Sequence, residues 1–170
     1  RNLYQGRYLS LVRDPETGWE YVHRPTVTGI VVIIATTTEN EVILVEQYRP
    51  PVQAKTLELP AGLAGDTAAY AGEGLLTAAQ RELFEETGYE SAHWSVLFSS
   101  TPSAGITSEQ HTYVRARLCK KTGSGGGDAS ESIRTVVFDK AKLYSAASEY
   151  AAQQNSRLST TVLAGAAVLA

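Results

Sequence analysis

Three glutamates and an arginine within six residues constrain this chain more than anything else in it. The stretch Arg81-Glu82-Leu83-Phe84-Glu85-Glu86-Thr87-Gly88-Tyr89 spaces its acids by three and four, so on an α-helix they share one face. Like charges that close repel by roughly a few tenths of a kcal/mol per pair even when solvated. A divalent cation held by hard carboxylate oxygens would offset that repulsion. Leu76, Ala79 and Leu83 form an adjacent stripe expected to pack inward, and Gly88 is expected to end the helix in the left-handed conformation. The plain alternative is an acidic surface helix with a glycine cap. Against it stands the joint pattern, since Arg-Glu-x-x-Glu-Glu-x-Gly arises by chance in roughly one chain of this size in several thousand.

Glu73 stands eight residues before Arg81. With it the stretch resembles the Nudix box: Gly, five residues, Glu, seven residues, then Arg-Glu-aliphatic-x-Glu-Glu-x-Gly-aliphatic. The second half of the box is intact. In the first half the glycine position, six residues before Glu73, is Thr67. Gly62, in Leu59-Pro-Ala-Gly-Leu63, has the context of that glycine, so the loop from Gly62 to Glu73 is read as five residues longer than the pattern. Loop closure entropy grows only logarithmically with length, so a surface insertion is cheap. The expectation is a longer loop leading into an unchanged helix, with the role of Glu73 open.

Around this centre the chain reads as strands, one helix, strands, then two helices. Arg7–Arg13 and Trp19–Arg24 flank the turn Asp14-Pro-Glu-Thr-Gly18 and predict a β-hairpin. Gly29–Ala35 is a continuous β-branched run, a strand buried on both faces, and Glu41–Gln47 is a second central strand. Leu57–Leu59 is a short strand leading into the box. Strands are expected at Trp94–Phe98, Gln110–Leu118 and Ile133–Phe138, and Ala-rich helices over 139–154 and 157–170. That order predicts an α+β class, a mixed β-sheet between helices. The length of 170 residues predicts a single domain over 1–170, comprising the N-terminal hairpin over 1–24 and the extended box region over 57–89.

Composition narrows the function classes. A net charge of −3 gives no reason to expect nucleic acid as a partner. The single Cys119 excludes an internal disulfide framework and suits a reducing cytoplasm; with only Lys120 and Lys121 beside it, an inert thiol is expected. No signal peptide or long apolar span argues for a membrane, and the apolar tail from Thr161 is expected to dock as a helix. The chain begins at Arg1 and contains no Met, as an N-terminally trimmed sequence would. His23, His93 and His111 show no metal-ligand spacing.

The resemblance extends from about Gly6 to the C-terminal helices and points to the ADP-ribose and nucleotide-sugar pyrophosphatase branch. Trp19-Glu-x-Val-x-Arg24, Glu46-Gln-Tyr-Arg49-Pro-Pro51, Glu58-Leu-Pro-Ala61-Gly-Leu63 and Ser103–Glu109 carry it. It implies the Nudix α/β/α sandwich. It also implies Mg²⁺, with Mn²⁺ as the alternative, held by Glu82, Glu85, Glu86 and the carbonyl of Ala61. Arg81 is carried over as structural, pairing with a box glutamate. Arg24 and Arg49 match residues that contact phosphates and nucleotide, for which a guanidinium fork is suited. Trp19 matches a base-stacking residue and Glu20 an acceptor for the base's amino group. Glu109 is a candidate for substrate or metal contact. In that branch the N-terminal segment crosses to a second subunit, implying a homodimer with a shared site. A glutamate on the loop before the last strand handles the attacking water there; here that loop runs from Gly123 to Ser132, Glu131 is its only glutamate, and Asp128 is the alternative. The glycines of this loop suggest a mobile lid. The implied reaction is hydrolysis of ADP-ribose to AMP and ribose 5-phosphate. Another nucleotide sugar such as GDP-mannose, or a catalytically weak domain that senses ADP-ribose-like ligands, are the alternatives.

Overall fold

The computed structural model describes residues 1–127 and 132–170. The N-terminal segment forms a three-stranded antiparallel sheet of β1 (Asn2–Gln5), β2 (Ser10–Arg13) and β3 (Glu20–His23). The hairpin read from the sequence is β2–β3. Asp14 builds its turn by accepting from the N–H groups of Glu16 and Thr17 at 3.1 and 2.8 Å, and Gly18 supplies a positive φ of 74°. β1 is an addition, formed by a run too short and mixed to read as a strand.

The main sheet contains β4 (Gly29–Thr37), β5 (Glu41–Arg49), β6 (Ala54–Glu58), β7 (Ala61–Ala64), β8 (Tyr89–Glu90), β9 (His93–Ser100), β10 (His111–Lys121), β11 (Arg134–Asp139) and β12 (Arg157–Leu158). Among the described residues three α-helices accompany it: α1 (Leu75–Thr87), α2 (Leu143–Gln154) and α3 (Thr160–Leu169). β4 and β5 pair only at Thr36 and Val42, so the sheet is two blades joined at that corner. One blade holds β12, β6, β5 and β11; the other holds β7, β4, β10 and β9. β10 runs parallel to β4 and β12 parallel to β6, and the remaining pairs are antiparallel. This is the mixed sheet between helices that the element order predicts.

β4 shows why its run is apolar throughout. Val31, Ile33 and Ala35 point to a core shared with Ala78, Ala79 and Leu83 of α1. Val32 and Ile34 point to a second core with Leu143, Ala147, Val162 and Leu169 of α2 and α3. Side chains alternate along a strand, so a strand between two helical layers must be apolar at every position. The α1 stripe is corrected in one place: Leu76 is exposed, and Leu75 packs in its stead. The helix starts at Leu75, and a shift of one residue turns a side chain by about 100° around the axis.

β7 was not expected from the sequence. Pro60 interrupts the strand run, and the chain changes partner there: β6 pairs with β5, whereas β7 pairs with β4, with Ala61 opposite Val32. The Pro60 carbonyl accepts from Ile33 N–H at 2.8 Å, closing the corner. This corner lays Ala61 and Gly62 beside α1. Among the described residues, no helix is long and apolar enough to cross a membrane.

Candidate active site

Arg81 is the hub of the site. Its Nε donates to Glu73 Oε1 at 3.1 Å, and its Nη2 donates to Glu73 Oε2 at 3.0 Å and to the Leu63 carbonyl at 3.1 Å. Its Nη1 donates to Glu82 Oε1 at 2.8 Å and to Glu85 Oε2 at 3.0 Å. These bonds, Glu73's first, raise the guanidinium pKa above its already high ordinary value, against the burial that opposes the charge. The structural role expected for Arg81 is thus visible. Glu73, whose role the longer loop left open, grips two nitrogens of that guanidinium.

Three carboxylates on one guanidinium leave negative charge in excess, and Glu86 adds to it one turn along. Glu86 is only 4% exposed, and its carboxylate accepts from Ala61 N–H at 3.2 Å. Gly62 makes the close approach of loop and helix feasible, because a Cβ there would fall on the Glu82 carboxyl carbon. Among the described residues, no three of His, Cys, Asp and Glu converge as placed into a ligand cluster. Glu82 and Glu85 lean on Arg81, and Glu86 on Ala61. The donor set still fits a hard divalent cation: oxygen donors only, excess anionic charge, and a glycine that clears the space beneath Glu82.

The cleft above this helix face has a volume of about 610 Å³. It brings together Arg24, Arg49, Ala61, Glu82, Glu85 and Glu109, which the sequence scatters over 86 positions. Arg24 Nε donates to Glu109 Oε1 at 3.0 Å. Arg49 holds Glu58 with two bonds, Nε to Oε1 at 2.8 Å and Nη2 to Oε2 at 2.9 Å, and Thr56 Oγ1 also bonds Glu58. Sequence reasoning missed several lining residues: Glu58, Asp66, Thr67, Tyr70 and His111, with Ser159 to Thr161 at the start of α3. Ser159 caps that helix by accepting from Thr161 N–H at 3.2 Å, a Ser-Thr-Thr signature legible before an apolar run. Burial lowers the His111 pKa, and Glu109 opposes that shift.

Trp19 and Glu20 are not brought into this cleft. Trp19 is 60% exposed and its Nε1 donates to the Gly105 carbonyl at 3.1 Å. Glu20 pairs with Arg13 across the hairpin at 2.7 Å. The N-terminal sheet nevertheless docks on the loop before β10, through Val22 N–H to the Ile106 carbonyl at 2.7 Å and Ser108 N–H to the Val22 carbonyl at 3.1 Å. Two of the sequence pieces singled out above therefore meet here. Cys119 is buried, and burial pushes its thiol up to about 11, which disfavours the reactive thiolate.

The glycine run after β10 is anchored rather than loose. Gly88 ends α1 with φ 72°, its N–H donating to the Phe84 carbonyl at 2.8 Å, the closure the sequence predicts. Gly126 N–H then donates to the Glu86 carbonyl at 2.9 Å and Gly127 N–H to the Glu85 carbonyl at 3.0 Å. A Cβ on Gly125 would lie 2.5 Å from the Thr87 carbonyl carbon, and φ at Gly125 is 67°. These glycines clasp the end of the carboxylate helix, supplying donors to its otherwise unsatisfied last carbonyls. The lid expectation thus does not fit 123–127. Asp128 and Glu131, the candidates for handling water, lie outside the described residues.

A mixed sheet between helices carries a carboxylate helix that walls an arginine-lined cleft, a donor set chemically suited to an anionic group and a hard cation. The NUDIX domain profile matches residues 24–159. A methanol dehydrogenase activator of Bacillus methanolicus is 36% identical over 152 residues, 84% of this chain and 78% of that protein. ADP-ribose pyrophosphatases of Mycobacterium tuberculosis and Bacillus subtilis are 34% and 31% identical over 79% and 68% of this chain. Those matches span 65% and 63% of the two pyrophosphatases, a little under two thirds of their length. A solved structure of an ADP compounds hydrolase shares the fold with a TM-score of 0.68 at 18% identity, over 96% of this chain and 87% of that one. The chain belongs to the Nudix hydrolase family. Enzymes of this family generally need a divalent metal.

Proposed function

We propose that this chain hydrolyses the diphosphate of a nucleoside diphosphate sugar, with ADP-ribose as the first candidate, giving AMP and ribose 5-phosphate. The observation that carries this reading is the single cleft in which Arg24, Arg49 and Glu109 face Ala61, Glu82 and Glu85. Relatives named ADP-ribose pyrophosphatase support the substrate class. Mg²⁺ is the proposed cation, with Mn²⁺ as the alternative, and Glu82, Glu85, Glu86 and the Ala61 carbonyl are its proposed holders. Bound there, it would supply charge neutralisation at the diphosphate and acidify the attacking water. Arg24 and Arg49 grip the phosphate oxygens with planar donors. Glu109 and Glu58 hold those two guanidinium groups in orientation until the diphosphate arrives. Arg81 keeps Glu82 and Glu85 from splaying apart.

The test is a panel of ADP-ribose, GDP-mannose and other nucleotide sugars with Mg²⁺, with products identified by mass. A second reading is a role in modulating a dehydrogenase, which the methanol dehydrogenase activator among the relatives favours. Release of AMP and ribose 5-phosphate from ADP-ribose supports the proposal. Binding of ADP-ribose without turnover would make the chain a sensor instead.

The whole of 1–170 is proposed as one Nudix domain in the cytoplasm, with the sheet over 1–24 as its dimer element. Leu3 and Tyr4 on β1, with Tyr8 and Leu9 in the connection to β2, are exposed, which supports a partner surface there. In a dimer the exposed Trp19 ring, outside the cleft of its own chain, would stack on the base, with Glu20 accepting from it. Stacking on a base contributes ~1–3 kcal/mol in other nucleotide binders. Trp19→Ala is therefore expected to raise KM about tenfold with little change in kcat, and nucleotide is expected to quench Trp19 fluorescence. A monomer in sedimentation, or an unchanged KM, counts against this role.

Gly125→Ala tests the glycine clasp. The added methyl meets the α1 terminus and a strained φ, so about 1–3 kcal/mol of stability is expected to be lost in denaturant melts. Displacement of Glu85 and Glu86 is expected to lower kcat about tenfold or more, since small misplacements of positioned groups are costly. Loss of stability with kcat retained would confine the clasp to folding.

A further inference from the structure

The loop between Gly62 and Glu73 is five residues longer than the box pattern, and length alone would make it tolerated filling. Its placement says otherwise. Residues Ala68–Tyr70 form a single 3₁₀ turn, with Tyr70 N–H donating to the Thr67 carbonyl at 3.1 Å. The turn folds the loop back over α1 and lays the Tyr70 ring on the Arg81 guanidinium, 4.1 Å from ring centroid to Cζ. The Tyr70 carbonyl accepts from Glu73 N–H at 2.9 Å. One residue thus touches the ion network twice, by its ring at Arg81 and by its backbone at Glu73.

A guanidinium carries five N–H groups in one plane. Arg81 makes five hydrogen bonds around that plane, to Glu73 twice, Leu63, Glu82 and Glu85. With the edge so occupied, what further holds the group in place must act on its faces. An aromatic face is suited to that, because its quadrupole attracts the cation while its flat surface matches the plane. Arg81 is 16% exposed along its side chain, a setting in which such an attraction is stronger than at an open surface.

We propose that Tyr70 is a positioning residue for metal binding: by capping Arg81 it fixes the guanidinium that orients Glu82 and Glu85. The proposal rests on the reading above that these glutamates hold the cation. The lengthened loop is then part of the site's rigidity, and the ring, not the phenol hydroxyl, is what the site uses.

The test measures Mn²⁺ binding by calorimetry in the substrate-free protein, alongside steady-state kinetics. Circular dichroism and thermal melts establish that each variant is folded. Tyr70→Phe keeps the ring face and is expected to bind Mn²⁺ as the wild type does. Tyr70→Leu, which fills space without a π face, and Tyr70→Ala are both expected to weaken Mn²⁺ binding about threefold to tenfold. Their Mg²⁺ requirement for half-maximal rate should rise in parallel, and KM at saturating metal should stay near the wild-type value. Wild-type affinity in Tyr70→Leu would overturn the proposal by showing that bulk suffices. A raised KM with unchanged Mn²⁺ affinity would overturn it by making Tyr70 a substrate contact. Glu85→Gln keeps the two readings apart. If that variant loses Mn²⁺ while Tyr70→Ala does not, only the Tyr70 proposal fails. If the wild type binds no Mn²⁺ that Glu85→Gln abolishes, both fail together.

Discussion

Glu85→Gln and Glu86→Gln are each expected to lower kcat by about a hundredfold or more, because each removes a carboxylate charge where phosphoryl charge develops. The two are expected to differ in how they fail. Glu86 is buried against the Ala61 N–H, and a Gln amide keeps an oxygen that can accept that bond. Its fold should survive, and the loss should appear as charge alone. Glu85 has a side chain 41% exposed and shares Arg81 with Glu82 and Glu73. Without it the guanidinium keeps two carboxylates, and a partly exposed pair of this kind contributes little net stability. Metal-free melts should therefore move by only a few degrees, with relief of like-charge repulsion acting in the opposite sense to the lost bond. The wild-type melting temperature should rise on adding Mg²⁺, since a ligand that binds only the native state stabilises it. That rise should shrink in both variants. Near-wild-type turnover at saturating Mg²⁺ in either one would remove that residue from the proposed metal set.

Glu131→Gln is expected to lower kcat by ~10²–10⁴ while leaving KM and metal affinity nearly unchanged, as for loss of a general base acting on water. Helix carboxylates committed to a cation are poor bases, so the proton of the attacking water needs another acceptor. Glu131 and Asp128 lie outside the described residues, between Gly127 and Ser132. Gly127 N–H donates to the Glu85 carbonyl at 3.0 Å, and Ile133 N–H to the Gly126 carbonyl at 3.2 Å. A comparable loss in Asp128→Asn, with Glu131→Gln active, would move the role to Asp128. If Glu109→Gln alone is inactive, the base sits in the cleft wall beside Arg24. The three variants should be compared across pH at saturating metal, because loss of a base removes the acidic limb of the kcat profile.

The helix that carries the acids was legible in the sequence for a local reason. Acid spacing, apolar stripe and terminal glycine are all set within α1 itself, and Gly88 adopts the left-handed cap its position demands. The buried strand β4 was legible too, since only a strand covered on both faces is apolar at nearly every position. The stripe's first member was not, because choosing between Leu75 and Leu76 requires the helix start, and Gly74 caps it without a side-chain signal. β7 was hidden by Pro60, which reads as an end but acts as a corner where the chain passes from β5 to β4.

The sequence by itself determined the family-defining chemistry: a carboxylate helix, an arginine built to bind it, and a strand order that makes a sheet between helices. Tertiary structure decided what that chemistry faces. Only folding brings Arg24 onto Glu109, Arg49 onto Glu58 and Tyr70 onto Arg81, because pairs across different elements leave no periodic trace along the chain. It likewise turned a glycine run that reads as loose into a clasp on α1, since unsatisfied carbonyls at a helix end bind whichever backbone donors the fold delivers.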